Sequence, residues 1–351
     1  MAQLMCGASD TDRHRSPRRD ADPGADDHVG LDGRLGRRPF AATLCRPRRS
    51  TPMLEKRLLK RLRVKPGSKA RVQDYATGWA QMPALKRSGK TNVRKRADLI
   101  LQKGRDRLSR AQELLYADDR FAVLVIFQAL DAAGKDGTIR HVMSGVNPQG
   151  CQVFSFKRPS EEELDHTFLW RCVKCLPERG RIGIFNRSYY EDVLVVRVHQ
   201  ELLDRQRLPT TRYDEKFWRR RFDDINAFEH HLVRNGTVIL KFFLNVSKRE
   251  QKQRFLDRLN DPTKNWKFSP GDLAERRFWG DYMAAYGEVL TRTSTKWAPW
   301  YVIPADYKWA ARALVADILS TTIHSLDLKY PEVSQENRRA LNAARRSLAR
   351  E

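Results

Sequence analysis

The chain has 351 residues, with 67 Lys and Arg against 43 Asp and Glu, for a formal charge of +24. Residues 1–52 hold ten basic and seven acidic residues, so +21 belongs to the remainder, a field that concentrates any polyanion, nucleic acid or anionic membrane alike. No apolar run reaches the roughly 18 residues of a membrane-spanning helix, which predicts a soluble protein, and the odd cysteine count without a secretory signal fits a reducing cytoplasm.

In chain order, residues 1–52 are rich in Arg, Asp, Gly and Pro, poor in aliphatic residues and without the apolar stretch of a secretory signal. They are expected to form a disordered tail. The lysine-rich helical pattern MLEKRLLKRLRV opens at Met53, which suggests Met53 as the natural start; a basic amphipathic membrane anchor over 53–64 is the competing reading. Residues 53–120 are expected to be a basic helical segment, 121–330 the core and 331–351 a basic C-terminal tail. From about residue 95 strands and helices alternate in one series, the pattern of a single large α/β unit. Strands are predicted at 121–127, 151–156, 181–186, 237–246 and 300–304. Helices are predicted over 95–117, 134–145, 160–176, 188–203, 213–231, 247–260 and 307–325. Ser160 with Glu163 reads as a capping box opening one of them.

The stretch FAVLVIFQALDAAGKDGT, from Phe121 to Thr138, is an apolar strand opening into a turn of small residues. The strand suits a position buried on both faces of a parallel sheet. Asp131, Ala132, Ala133, Gly134 and Lys135 supply what a phosphate cradle needs: inward backbone N–H groups, a helix N-terminus and a neutralising lysine. The general P-loop (Walker A) pattern is incomplete, with Ala129 in place of the first glycine and Asp136 where Ser or Thr follows the lysine. A carboxylate inside an anion cradle repels phosphate unless a cation lies between, so Asp131 points to metal-assisted phosphoryl chemistry. An ordinary strand-turn-helix remains the alternative.

A second apolar strand, RIGIFNRSYYED from Arg181 to Asp192, ends in polar residues. In an open α/β sheet ligands gather beyond the carboxyl ends of the strands, which places Asn186, Arg187 and Glu191 on the edge that carries Lys135. Among five cysteines, Cys172 and Cys175 form a CxxC with no second pair and no histidine at ligand spacing, so two core-facing thiols are expected rather than zinc. The eight histidines include no HExxH, and His141 lies one turn into the cradle helix.

At these residues the sequence resembles the type 2 polyphosphate kinases, in particular the subclass that phosphorylates both nucleoside mono- and diphosphates. The resemblance rests on LDAAGKDGTIRHVMSGVNPQG (130–150), FNRSYYED (185–192) and KNWKFSPGDLAERRFW (264–279), and covers about residues 70–330. It implies an α/β, P-loop kinase-like three-layer fold with a mostly parallel five-stranded sheet, flanking helices and a helical lid at about 262–294. It also implies inorganic polyphosphate and nucleoside mono- and diphosphates as substrates, and Mg²⁺ as cofactor with Mn²⁺ as a substitute. Direct transfer without a phosphohistidine follows, as does a homo-oligomer, commonly a tetramer, with neither nucleic acid nor membrane as partner. Asp131, Lys135 and Arg187 fall on the family's motif positions. Asn186 stands where many members carry Asp (Walker B), and an amide oxygen is the weaker metal ligand. The expected metal ligands are Asp131 and Asn186; the expected nucleotide contacts are Asn186, Arg187, Tyr190 and Glu191. Phosphate contacts are expected from Ala132, Ala133, Gly134, Lys135, Asp136, Gly137, Arg140, Lys157, Arg158, Lys264 and Arg277. Lys267 and Arg276 are the lid cations chosen to close over the donor, because phosphoryl transfer offers little covalent work and rewards mobile positive charge. The alternatives are an ATP-dependent nucleoside monophosphate kinase and a polyanion binder that has lost catalysis.

Overall fold

The computed structural model describes residues 54–351. The expectation for the tail over 1–52 lies outside the described residues.

Five strands form one sheet in the order β2-β3-β1-β4-β5, with every pairing parallel. They are β1 (Ala122–Gln128), β2 (Cys151–Ser155), β3 (Ile182–Asn186), β4 (Thr237–Asn245) and β5 (Trp300–Pro304), at the places the apolar runs predict. All seven residues of β1 are buried, as a central parallel strand covered on both faces requires. Its alternate side chains feed two cores. Val123, Val125 and Phe127 face one layer of helices, and Leu124 and Ile126 face the other.

Thirteen helices accompany the sheet among the described residues: α1 (Lys56–Leu62), α2 (Pro83–Ser88), α3 (Lys90–Asp118), α4 (Lys135–Val142), α5 (Glu161–Leu164), α6 (Trp170–Val173), α7 (Val195–Val198), α8 (Glu215–Arg234), α9 (Lys248–Leu259), α10 (Pro270–Glu275), α11 (Trp279–Thr293), α12 (Lys308–His324) and α13 (Gln335–Leu348). α3, α4 and α12 cover the first face, and α7, α8 and α11 the second. α12 lies close along α3 because Gly104 has no side chain there; a Cβ would meet the Ala316 Cβ at 3.1 Å. The residues read as a membrane anchor pack on the protein itself: Leu54 and Leu62 are buried, and the Val64 amide donates to the Trp300 carbonyl over 2.9 Å. No described helix is long and apolar enough to cross a membrane.

Two predicted helices are corrected. The segment 160–176 keeps its capping box at Ser160 and Glu163 but breaks into α5 and α6. The break lets Arg171 turn inward, where it donates to the Lys157 carbonyl over 2.8 Å and stacks 5.6 Å from the Phe156 ring. The segment 188–203 is a 3-10 turn over Tyr189–Val193, then α7, then a second 3-10 turn over Gln200–Gln206. Tyr189, Tyr190, Asp192, Val193 and Leu194 are all buried, and so many consecutive inward residues cannot share the single stripe of an α-helix. Cys172 is in the core and Cys175 packs beside it.

Candidate functional site

The register Phe127↔Asn186 brings the loops after β1 and β3 out side by side at the carboxyl edge of the sheet. The first loop runs from Ala129 to Gly134. Ala132 and Gly134 both take left-handed backbone, at φ 60° and 100°, a conformation that glycine tolerates and alanine adopts at a cost of about 1 kcal/mol. Buried Arg254 holds the turn from outside. Its Nη1 donates to the Ala132 and Ala133 carbonyls (3.0 and 2.7 Å), and its Nη2 to the Ala305 and Asp306 carbonyls (2.6 and 3.1 Å). With those carbonyls drawn to Arg254, the first-turn amides of α4, which lack intrahelical partners, form the concave side. Lys135 donates to the Ala129 carbonyl over 2.8 Å. Burial, with Arg187 beside it, pushes the Lys135 ammonium below the usual lysine range.

Arg187 follows β3 with φ 67°, a second non-glycine residue in the left-handed region. Its amide donates to the Phe127 carbonyl over 3.0 Å, and its Nη2 donates to Asp131 Oδ1 over 2.8 Å. Glu191 Oε2 lies 3.9 Å from Arg187 Nη1, and that carboxylate holds the guanidinium above its ordinary pKa. Burial pushes the Glu191 carboxyl up against the pull of Arg187 and Lys135. Gln128, with its amide oxygen turned to Ser188, donates to Glu191 Oε1 over 2.8 Å. Asn186 Nδ2 donates to Asp136 Oδ1 over 2.6 Å, while Asn186 Oδ1 is buried without a hydrogen-bond partner.

Between these loops and the segment from α9 to α11 lies a cavity of about 240 Å³. Asp131, Glu191, Asp272 and Glu275 line it with Arg187 and Arg276, and Trp279, Tyr282 and Tyr286 form an aromatic wall. Burial, with Asp131 nearby, pushes the Asp272 carboxyl up. Glu275 Oε2 accepts from Tyr282 (2.6 Å) and lies 3.0 Å from His199 Nε2. Gln251 links the two sides: its Nε2 donates to the Asp131 carbonyl over 3.0 Å, and its Oε1 accepts from Arg276.

Of the residues expected from sequence, Asp131, Lys135, Asp136, Asn186, Arg187, Glu191 and Arg276 converge here. Lys157, Arg158, Lys264, Lys267 and Arg277 are exposed on the surface; Lys264 pairs with Asp261, and Lys267 lies 4.8 Å from the Trp266 ring centre. Arg140 is exposed on α4, one turn beyond Asp136 and Gly137. Tyr190, expected to touch nucleotide, is corrected. Its side chain is fully buried, and its hydroxyl donates to Glu229 (2.8 Å) and accepts from Lys241 (2.9 Å), so it supports the 3-10 turn that carries Glu191. His141 Nδ1 lies 2.7 Å from the Gly137 carbonyl, a contact within its own helix. Sequence reasoning missed Gln251, Arg254 and the Asp272, Glu275 and Tyr282 group. Gln251 and Arg254 carried a signal: polar residues spaced i, i+3 on the buried stripe of α9.

The profile of Polyphosphate kinase 2 (PPK2) matches residues 92–331. A relative from Rhodopseudomonas palustris, an ADP-polyphosphate phosphotransferase, is 55% identical over 244 residues, 69% of this chain and 84% of its own length. The AMP/ADP-polyphosphate phosphotransferase of Meiothermus ruber is 50% identical over 226 residues, 64% of this chain and 80% of its own. The crystal structure of Polyphosphate Kinase 2 from Arthrobacter aurescens TC1 superposes with a TM-score of 0.68 at 40% identity, covering 81% of this chain and 95% of that one.

Proposed function

Because the chain belongs to the polyphosphate kinase 2 family, we propose that it transfers a phosphoryl group between inorganic polyphosphate and nucleoside mono- and diphosphates, AMP, ADP, GMP and GDP among them. The observation that carries this reading is the 2.8 Å pairing of Arg187 with Asp131 beside Lys135, which supports reading the turn as a donor cradle and the adjoining cavity as an acceptor pocket.

In the phosphorylating direction an oxygen of the acceptor's terminal phosphate attacks the terminal phosphorus of the donor. A new P–O bond forms, the P–O bond to the next unit breaks, and the shortened polyphosphate leaves with the electron pair. Lys135 exchanges its Ala129 carbonyl for the transferring phosphate and neutralises charge on its outer oxygens. Arg187, turned into the cavity by its left-handed backbone, binds the acceptor phosphate. Trp279, Tyr282 and Tyr286 give the nucleoside an apolar wall without base-specific amides, in keeping with a broad choice of base. The segment 262–294 acts as the lid, with Arg276 as its cation over the site; Lys267, exposed here, would have to swing inward to join it.

The donor set suits a hard divalent cation: the Asp131 and Asp136 carboxylates and the orphaned Asn186 Oδ1 are all oxygens, and substrate phosphates complete such shells. These residues would hold Mg²⁺, or Mn²⁺ in its place, which when bound neutralises phosphate charge and lets acid residues share the site with anions. A cytoplasmic homo-oligomer, a tetramer on the family pattern, is part of the same reading and is tested by light scattering and cell fractionation.

The direct experiment incubates the chain with AMP, ADP, GMP or GDP, polyphosphate and Mg²⁺, and resolves the products. Formation of the next higher nucleotide from each acceptor is expected. Faster transfer to the monophosphates when ATP replaces polyphosphate would overturn the donor assignment.

A further inference from the structure

His199 has no part in the transfer described above, yet it ties the core to the segment that carries Arg276. It ends α7 and opens the 3-10 turn over Gln200–Gln206, and its side chain is largely buried. Its Nε2 lies 3.0 Å from Glu275 Oε2 at the end of α10, and its Nδ1 lies 3.3 Å from Glu201 Oε1 in its own turn. The ring also meets Phe278 edge-on, 4.8 Å between centres. Glu275 and Phe278 stand on either side of Arg276 in the chain, so one imidazole holds both flanks of the lid cation. Each ring nitrogen faces a carboxylate oxygen. A neutral imidazole has a single N–H and must set its other lone pair against a carboxylate, whereas imidazolium donates to both. Imidazole is also the side chain whose charge ordinarily changes between about pH 5 and 8. The titratable groups that face the ring are Glu201 from its own turn, Glu275 from α10 and Tyr282 from α11. Burial and the bond to Glu275 push the Tyr282 phenol well above its ordinary range, so its hydroxyl remains a donor to Glu275 throughout. Arg197 of α7 is engaged elsewhere, 3.5 Å from Glu288 and 4.6 Å from the Trp218 ring centre. Among the described residues Glu275 pairs with no cation but His199.

Position decides what this pairing does. Glu275 and Arg276 line the cavity together, and Arg276 is held from the other side by Gln251 of α9. We propose that His199 is a positioning residue for the transfer: as imidazolium it latches Glu275, seats Arg276 over the cavity and makes the closure of this segment depend on pH. When the ring loses its proton, Glu201, largely exposed, turns to solvent and Nε2–H still meets Glu275, but the attraction between opposite charges is gone. The latch is therefore firm below the titration of the imidazole and looser above it. The proposal rests on the reading of Arg276 as the lid cation and adds regulation by pH to that site.

The test follows amide hydrogen exchange over 270–279 in the substrate-free chain at about pH 5.5 and about pH 8, expressed as protection factors so that the intrinsic pH dependence of exchange is removed. Wild type is compared with His199→Gln, whose side-chain amide reaches Glu275 without ionising, and with His199→Phe, which keeps the contact with Phe278 and loses both bonds. Wild type should be about tenfold better protected at the lower pH, His199→Gln intermediate and indifferent to pH, and His199→Phe poorly protected at both. The ratio of wild-type to His199→Gln kcat should follow the same titration, while KM for polyphosphate differs by less than about twofold. A pH dependence of protection that survives in His199→Gln, a His199→Phe chain as protected as wild type, or a kcat ratio flat across this range would overturn the latch. If His199→Phe does not fold, Glu275→Gln removes the other partner and should likewise abolish the pH dependence of protection; its persistence would overturn the latch. A wild-type chain that shows the exchange pattern yet transfers nothing from polyphosphate would refute the functional reading and leave the latch standing. Transfer by a chain without that pattern would do the reverse.

Discussion

Gln251 donates to the main-chain carbonyl of Asp131 over 3.0 Å while its own amide oxygen accepts from Arg276, so one side chain on α9 couples the phosphate turn to the segment 262–294. Gln251→Leu removes both bonds and leaves Arg276 Nη1 with the longer 3.3 Å bond to the Lys248 carbonyl, a loss of about 1–3 kcal/mol. The expected outcome is a fall in kcat/KM of about 10- to 100-fold, with faster amide hydrogen exchange over 270–279. Exchange and kcat/KM both at wild-type levels would show that the turn and the segment are not coupled through this residue.

Arg254 supplies donors to four carbonyls and an ion pair to Glu250, all from a buried position. Arg254→Met strands those acceptors and should cost about 3–5 kcal/mol, read as a lower urea midpoint. Arg254→Lys should recover little of it, because one ammonium cannot span two pairs of carbonyls as the planar fork does. A lysine variant as stable as wild type would mean that charge alone, not the fork, holds the turn.

Lys135 separates stability from chemistry. Among the described residues its ammonium donates to the Ala129 carbonyl alone, and burial already disfavours its charged form, so Lys135→Ala should remain folded while losing on the order of 10³-fold in rate. A folded and active Lys135→Ala enzyme would sink the cradle assignment. Asp131→Asn should also abolish activity, with excess Mg²⁺ restoring only part of it; an unaltered Mg²⁺ dependence in the residual activity would remove Asp131 from the metal role.

The parts of this architecture that announce themselves in the sequence are those set by local pattern. The run AVLVIFQ has no polar face before its last residue, and only a strand covered on both sides satisfies it. The turn Asp131–Lys135 is likewise local, because small residues before a helix can do little else than bend and present amides. What could not be read depends on partners distant in sequence. Lys241 interrupts β4 and looks like an exposed charge, yet it is fully buried, donating to Glu229 (2.5 Å), to the Tyr190 hydroxyl (2.9 Å) and to the Thr293 carbonyl (2.7 Å). That network draws Tyr189 and Tyr190 inward and converts the predicted helix over 188–203 into short turns. The aromatic wall and the acids Asp272 and Glu275 reach the cavity from α10 and α11, more than eighty residues beyond Glu191. No spacing within either stretch could have joined them.

Glu191 tests two roles with two substitutions. Its carboxyl is raised by burial above the ordinary 4.5, so the folded state binds this proton more tightly than the unfolded state does. The stabilising contribution is then complete below about pH 4.5 and is lost as pH rises through the higher folded value. Glu191→Gln cannot lose it, so the variant should gain on wild type in thermal stability between about pH 4.5 and neutrality. Wild type gaining instead would mean that Arg187, 3.9 Å away, outweighs burial. The second role concerns acceptors. A carboxylate lining the cavity repels a bare phosphate, so on the proposed reading Glu191 would reach the acceptor only through a metal ion or a water. Glu191→Asn should therefore change the ratio of kcat/KM for AMP to that for ADP, since the shorter amide neither repels nor bridges in the same way. An equal loss with both acceptors would leave Glu191 as the partner of Arg187 and the start of its turn, with no part in choosing the substrate.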